Sequence, residues 1–126
     1  MTNSAFAGLE EIGAWQKAKQ FVLEVYTVSA QGSFFQDALL RDQVRKECVT
    51  LLSHIEEGNR QGGGTKFSEA LSLATKSIVE VRTQLYAAVD KGHFSTVTFD
   101  RLYALATDAT RRIDELVSYL TQRAAP

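Results

Sequence analysis

The stretch "KFSEALSLATKSIVEVRTQLYAAV", Lys66 to Val89, decides the fold. Its apolar residues Phe67, Leu71, Ala74, Ile78, Val81, Leu85 and Ala88 step by 4, 3, 4, 3, 4 and 3. At about 3.6 residues per turn, this spacing holds one stripe on one side of a helix for about six turns. A half-buried strand would instead alternate at every second residue, and no part of the chain does so.

The same rhythm returns on both sides. Leu102, Ala106, Ala109, Ile113, Leu116 and Leu120 repeat it downstream, and Leu40, Val44, Cys48, Leu51 and Ile55, broadened by Leu52, repeat it upstream. The single proline is the last residue, so nothing breaks a long helix. Glycines punctuate the chain at Gly32, Gly58, Gly62 to Gly64 and Gly92. The pattern predicts an arm over residues 1–11 and helices over about 12–31, 36–58, 65–91 and 96–123. Short links, Gly32 to about Phe35 and Gly92 to about Thr96, favour antiparallel neighbours. The expectation is one all-α domain, an antiparallel up-down-up-down four-helix bundle over residues 1–126. Thr65 is a candidate cap for the third helix, and Ser95, Thr96 or Thr98 for the fourth.

The first helix is too apolar for its place. Phe21, Val22, Leu23, Val25, Tyr26 and Val28, taken with Trp15, cover an arc of roughly 220° at 100° per residue. A bundle core needs about half that width. Either the N-terminal arm covers the excess with Phe6 and Leu9, or the excess meets another subunit. Trp15, Phe21, Leu23 and Val28 are therefore candidate oligomer-interface residues.

Composition narrows the function classes. With 126 residues, 44% hydrophobic and 23% charged, the chain reads as an ordinary globular domain. No apolar run reaches the ~18 residues of a membrane span, and "MTNSAFAGLEE" lacks the regions of a signal peptide. A single cysteine suits a reducing compartment, so a cytoplasmic location with no membrane partner is expected. The formal net charge of −1 gives no surplus for phosphate binding. Local cations are still available: Arg41 and Arg45 at i, i+4 with Lys46 adjacent, and Arg60 and Arg82 beyond them. These five are the candidate nucleic-acid or anion contacts.

Catalytic chemistry finds little footing. Cys48 lies on an apolar stripe, as a buried inert thiol would. His54 reads as a residue of the second helix's C-terminal turn, and His93, just after Gly92, as a solvated loop residue. Neither histidine has a glutamate three positions before it, as a di-iron bundle requires, and no paired spacing suits zinc. No catalytic residue, cofactor or metal ligand is assigned, and the expectation is a protein that is not an enzyme.

The loop "EEGNRQGGGTK", Glu56 to Lys66, comes near a phosphate-binding loop and fails. Gly58 to Gly63 has the glycine spacing of G-x-x-x-x-G-K-[ST], but Gly64 and Thr65 follow where lysine and serine or threonine belong. The preceding segment is a helix rather than a strand. The reading is a turn, with Gly58 as the left-handed cap of the second helix and the triple glycine as a reversal. Glu56 and Glu57 sit at the negative end of that helix, so partners such as Arg60 or another subunit are expected.

Three stretches taken together resemble a known family. "AWQKAKQFVLEVY" looks like the first-helix motif of bacterial four-helix-bundle proteins encoded within intervening sequences of 23S ribosomal RNA genes. "VRKECVTLLSHIEEGNR" is similar to their second-helix motif, and "KFSEALSLATKSIVEVRTQL" to the third, whose core is S-[LI]-x-E-x-x-x-Q-L. The matching positions are Trp15, Tyr26, Arg45, Ile55, Glu57, Gly58, Arg60, Ser77, Glu80, Gln84 and Leu85. Departures fall in the second helix, where Lys46, Leu52, His54 and Glu56 replace the family's arginine, proline, asparagine and alanine.

The resemblance implies a ring-like homopentamer. A related branch, the accessory variability determinants of diversity-generating retroelements, works with a reverse transcriptase and binds nucleic acid. The expectation is a non-catalytic homo-oligomeric scaffold, an accessory that binds RNA, a DNA–RNA hybrid or a protein such as a reverse transcriptase. Its alternative is a purely protein-binding adapter with no nucleic-acid affinity.

Overall fold

The computed structural model describes residues 8–62 and 64–124, and among them there are helices and no strand. A 3-10 turn, Leu9–Glu11, leads into α1 (Gly13–Ser29), α2 (Gly32–Gln36), α3 (Ala38–Arg60), α4 (Gly64–Asp90) and α5 (Thr96–Ala124). The three stripes read from sequence all face inward: Phe67, Leu71, Ala74, Ile78, Val81, Leu85 and Ala88 are buried, as are Leu40, Val44, Cys48, Leu51 and Ile55. On α5, Leu102, Ala106, Ala109 and Ile113 are buried, while Leu116 and Leu120 are half-buried.

The long helices pack in a closed circuit, α1 against α3 and α5, and α4 against α3 and α5. Contacts across the α1–α5 seam run in opposite senses. Glu24 of α1 pairs with Arg101, and Gly13, near the start of α1, lies against the Arg112 guanidinium. The α4–α5 seam behaves likewise, with Tyr86 against Phe99 and Arg82 against Tyr103.

The excess apolar surface of α1 is covered mainly from within the chain. Phe21, Val22, Val25 and Val28 are all buried, and Leu9 of the 3-10 turn is buried among them in the same core. Phe6, the other expected cover, lies outside the described residues. Phe21 and Val28 therefore face the intrachain core instead of a second subunit.

The first connection differs from the sequence reading. Gly32 to Phe35 does not form a plain link; it lies in the short helix α2, which buries Phe34 completely. The second long helix begins only after a break at Asp37. Asp37 caps α3, its Oδ1 accepting from the Leu40 N–H at 3.4 Å.

Gly58 is not the left-handed cap expected of it. It lies inside α3, buried, where a β-carbon would come within 2.8 Å of Ala70 Cβ and of Phe67 Cδ1. The left-handed glycines of the turn are Gly62 (φ 89°) and Gly64 (φ 67°). Thr65 falls within α4 rather than capping it. Of the three candidates for α5, Ser95 is the cap: its Oγ accepts from the Thr98 N–H at 3.1 Å.

Candidate functional site

The five candidate cations do not converge on one patch. Arg41 and Arg45 share a face of α3 as predicted, but that face turns toward α1 and α2. Arg45 donates to Ser29 Oγ at 2.8 Å and to the Tyr26 carbonyl at 3.2 Å, and its guanidinium lies over the Tyr26 ring. It serves the C-terminal end of α1, where backbone carbonyls lack helical partners. Arg41 does the same for α2, donating to the Phe35 carbonyl at 2.7 Å and to Asp42 at 2.9 Å. Arg60 lies roughly 22 Å along α3 from Arg45 and is paired with Glu56 and Glu57. Those two glutamates thus find the partner expected for them. Arg82 stacks on Tyr103, with its guanidinium carbon 5.0 Å from the ring centroid. Lys46 is exposed and makes no ion pair among the described residues.

A second cluster joins residues distant in sequence. His93 is no solvated loop residue: its side chain is 10% exposed and its ring stacks on Phe34 at 5.5 Å. Nδ1 lies 2.8 Å from Ser33 Oγ, and Nε2 lies 2.9 Å from Asp37 Oδ2, which also accepts from Lys91 at 3.0 Å. Serine, histidine and carboxylate are thus linked in the order of a hydrolase relay. Two grooves of the described surface lie elsewhere, and Asp37 is already engaged by Lys91 and the Leu40 amide. What the cluster does in the fold is clamp the α2–α3 junction to the α4–α5 loop. The sequence separation of 56 residues between Asp37 and His93 left no local signal for it.

His93, then Lys91, hold the Asp37 carboxyl well below its usual range, at about 2. Because the folded value lies below the unfolded one, the unfolded chain takes up the proton first as pH falls. The clamp's contribution is therefore fully present above the unfolded value of 3.8 and is lost as pH falls toward about 2. Comparison of melting temperatures for the wild type and Asp37→Asn should show a gap that is constant near neutrality. That gap should close progressively below about pH 5. A gap that widened with acidification would contradict the assignment.

The candidate interface residues part company. Phe21 and Val28 are buried, Trp15 is half-buried against the core, and Leu23 is 57% exposed. The family-motif residues also divide. Tyr26 lies under Arg45; Gly58 is buried; Glu57 is paired with Arg60 and accepts from Gln61 at 2.8 Å; Glu80 is exposed. Ser77 is buried, and Gln84 carries a buried Oε1 without a hydrogen-bond partner among the described residues. His54 is not in the last turn of α3. It lines a groove of about 210 Å³ between α3 and α4 with Glu57, Gln61, Lys66 and Glu69.

An exposed aromatic row lies on the seam of α4 and α5. Tyr86, 61% exposed, meets Phe99 edge to face at 5.3 Å, and Phe99 meets Tyr103 at 6.0 Å. Arg82 closes this row, and beyond it a shallow groove of about 610 Å³ runs along α5 past Thr107, Arg111 and Tyr119. Tyrosine, phenylalanine and arginine are the side chains that protein interfaces concentrate at their centres. The sequence signal was present, since Tyr86 and Tyr103 fall off the apolar stripes, but the seam that joins them was not.

Cys48 is buried, and desolvation pushes its thiol up to about 12, so it is held as the neutral thiol. No group of histidine, cysteine, aspartate or glutamate suited to a metal ion occurs among the described residues. Among those residues, no helix is long and apolar enough to cross a membrane. No curated protein matches the chain. The description "23S rRNA-intervening sequence protein" belongs to a family model that matches residues 10–115, most of the chain, and the protein is a member of that family.

Proposed function

We propose that the protein is a non-catalytic scaffold, an antiparallel four-helix bundle that assembles as a homo-oligomer and presents its outer surface to a macromolecular partner. The closed circuit of helix contacts supports the bundle. The observation that carries the function is the aromatic row on α4 and α5: Tyr86 and Tyr103 are exposed on either side of the half-buried Phe99, with no other element among the described residues over them. Soluble chains that keep such surfaces use them to meet partners.

The kind of partner is favoured by the fate of the arginines. Arg41, Arg45 and Arg60 are engaged by the chain's own carbonyls and carboxylates, which leaves Lys46 and Arg82 for an anionic ligand. Protein contacts, with copies of itself and with a partner such as a reverse transcriptase, therefore come ahead of RNA or a DNA–RNA hybrid. The nucleic-acid reading keeps one specific support: in an oligomer Lys46 and Arg82 are repeated, and weak contacts add through multivalency.

Light scattering across a column at tens of micromolar should give a mass several times that of one chain. A monomer would remove the oligomeric scaffold. Titration of the oligomer with a single-stranded RNA and a DNA–RNA hybrid, at low and moderate salt, separates the two partner classes. Micromolar, salt-sensitive binding would reverse their order.

A further inference from the structure

The relay at the α2–α3 junction has a direction. Asp37 accepts from the Leu40 N–H through Oδ1 and from Lys91 through Oδ2, so its carboxylate is held ionised. An ionised carboxylate only accepts, so the His93 Nε2 that lies 2.9 Å from Oδ2 carries a proton. In the neutral ring Nδ1 is then a bare acceptor. It faces Ser33 Oγ at 2.8 Å, within the reach of a base on a nucleophile. The stack on Phe34 and the near-complete burial of His93 hold the ring in that orientation. Ser33 itself is exposed. Beside it Gly32 borders open space, since a β-carbon there would have nothing within 4 Å beyond its chain neighbours. Other serine hydroxyls are spent differently: Ser29 Oγ donates to the Tyr26 carbonyl, and Ser95 Oγ caps α5.

We propose that Ser33 is a covalent modification site, an activated hydroxyl that takes the acyl group of a small activated ester or thioester. The constellation is that of a serine hydrolase with the two ring nitrogens exchanged, Nδ1 as the base and Nε2 as the oriented donor. In the transfer, Ser33 Oγ bonds to the carbonyl carbon and its proton passes to His93 Nδ1. The adduct then collapses. The bond from that carbon to the leaving oxygen or sulfur breaks, and the electron pair departs with the leaving atom, which takes the proton from Nδ1. Asp37 stabilises the imidazolium formed between these steps, and Lys91 on the same oxygen tempers that effect. The inference goes beyond the scaffold reading and does not rest on it, because the acyl group ends on the chain itself.

The test uses the full chain and p-nitrophenyl acetate near neutral pH, with acetylated positions located by peptide mass spectrometry. Exposed Ser118 of α5 serves as the comparator within the same molecule. General-base assistance is worth about a hundredfold or more, so Ser33 should acetylate about a hundredfold faster than Ser118. Denaturing the wild type in guanidinium chloride should erase that difference, because the base comes from 60 residues away. His93→Gln leaves an amide that can donate to Asp37 and removes the base, so Ser33 should fall to the rate of Ser118. Asp37→Asn places an amide donor opposite Nε2, which drives the proton to Nδ1 and should have the same effect. Circular dichroism and the melting temperature establish that each variant is folded.

Acetylation of Ser33 no faster than Ser118 in the folded wild type would overturn the proposal. So would fast acetylation that persists in a folded His93→Gln or Asp37→Asn chain, or in the denatured wild type. Acetyl groups found on Lys91 in place of Ser33 would overturn the serine as acceptor. Should either variant fail to fold, the other variant and the denatured wild type still decide.

Discussion

Replacing Phe34 with alanine should cost the fold about 3–5 kcal/mol, the range for emptying a buried aromatic site. Phe34 is the only buried residue of α2, and it is completely enclosed. Its ring stacks on His93 and packs at 5.8 Å against Phe94, so it joins α2 to the α4–α5 loop. Domains of this size are stable by about 5–15 kcal/mol, so the loss is a large fraction of the whole. The melting temperature should fall by roughly 10–20 °C. A second effect distinguishes Phe34 from an ordinary core residue. Without the stack, His93 loses the surface that sets its ring against Asp37, so the acid dependence assigned to Asp37 should shrink. The Phe34→Ala and Asp37→Asn effects should therefore be less than additive, as for any two members of one contact network. Full additivity would mean that α2 and the clamp are independent, and Phe34→Leu, which retains much of the volume, should show neither effect strongly.

The contrast between what could and could not be read follows from the length of each feature. The stripes of α3, α4 and α5 extend over many turns, so three and four spacing accumulates into an unmistakable face. Helix α2 has five residues, too few for any period to show, and "GSFFQ" reads equally well as a link. The only sign of burial there is the phenylalanine pair Phe34–Phe35, which periodicity does not register. The wide apolar arc of α1 is legible in the sequence, but which of its two possible covers, the N-terminal arm or another subunit, meets it is not. Periodicity measures how much apolar surface a helix carries, not how many elements arrive to cover it. Leu9 and Phe34 join the intrachain core beside that arc, while Leu23 remains outside.

The candidate site was legible only in its parts. Arg41, Arg45 and Lys46 are adjacent in sequence and look like one basic cluster. In the fold, two of them turn inward to helix ends and the third faces out. A single residue step on a helix rotates a side chain by about 100°, so adjacency in sequence says little about a shared surface. The aromatic row is the converse case. Tyr86 and Tyr103 are far apart in sequence and become neighbours because the Gly92 turn, with φ 81°, folds α5 back along α4. The functional surface is thus a property of the seam and not of either helix.

Gly58→Val should destabilise the fold by about 3 kcal/mol or more, at the upper end of the cost of overpacking. A glycine near the end of a helix invites the reading that it stops the helix, and here that reading fails. In an exposed helix interior, alanine in place of glycine would gain about 1 kcal/mol from propensity alone. At Gly58 the added β-carbon would meet Ala70 Cβ and Phe67 Cδ1, each at 2.8 Å. Rotation of the Phe67 ring can relieve one contact. Ala70 Cβ is fixed to the backbone of α4, so relieving the other means parting α3 from α4. Gly58→Ala should therefore lose stability in spite of its better propensity, and valine, with two further methyl groups, should lose more. Ala70→Gly supplies the decisive control. Alone it should cost about 1 kcal/mol, the usual penalty for glycine in a helix. In the Gly58→Ala background the same change should restore stability, because it removes the atom that cannot move. The sign reversal, read from chemical denaturation of the four proteins, isolates the close approach of the two helices. If Ala70→Gly destabilised both backgrounds equally, Gly58 would be small for some other reason.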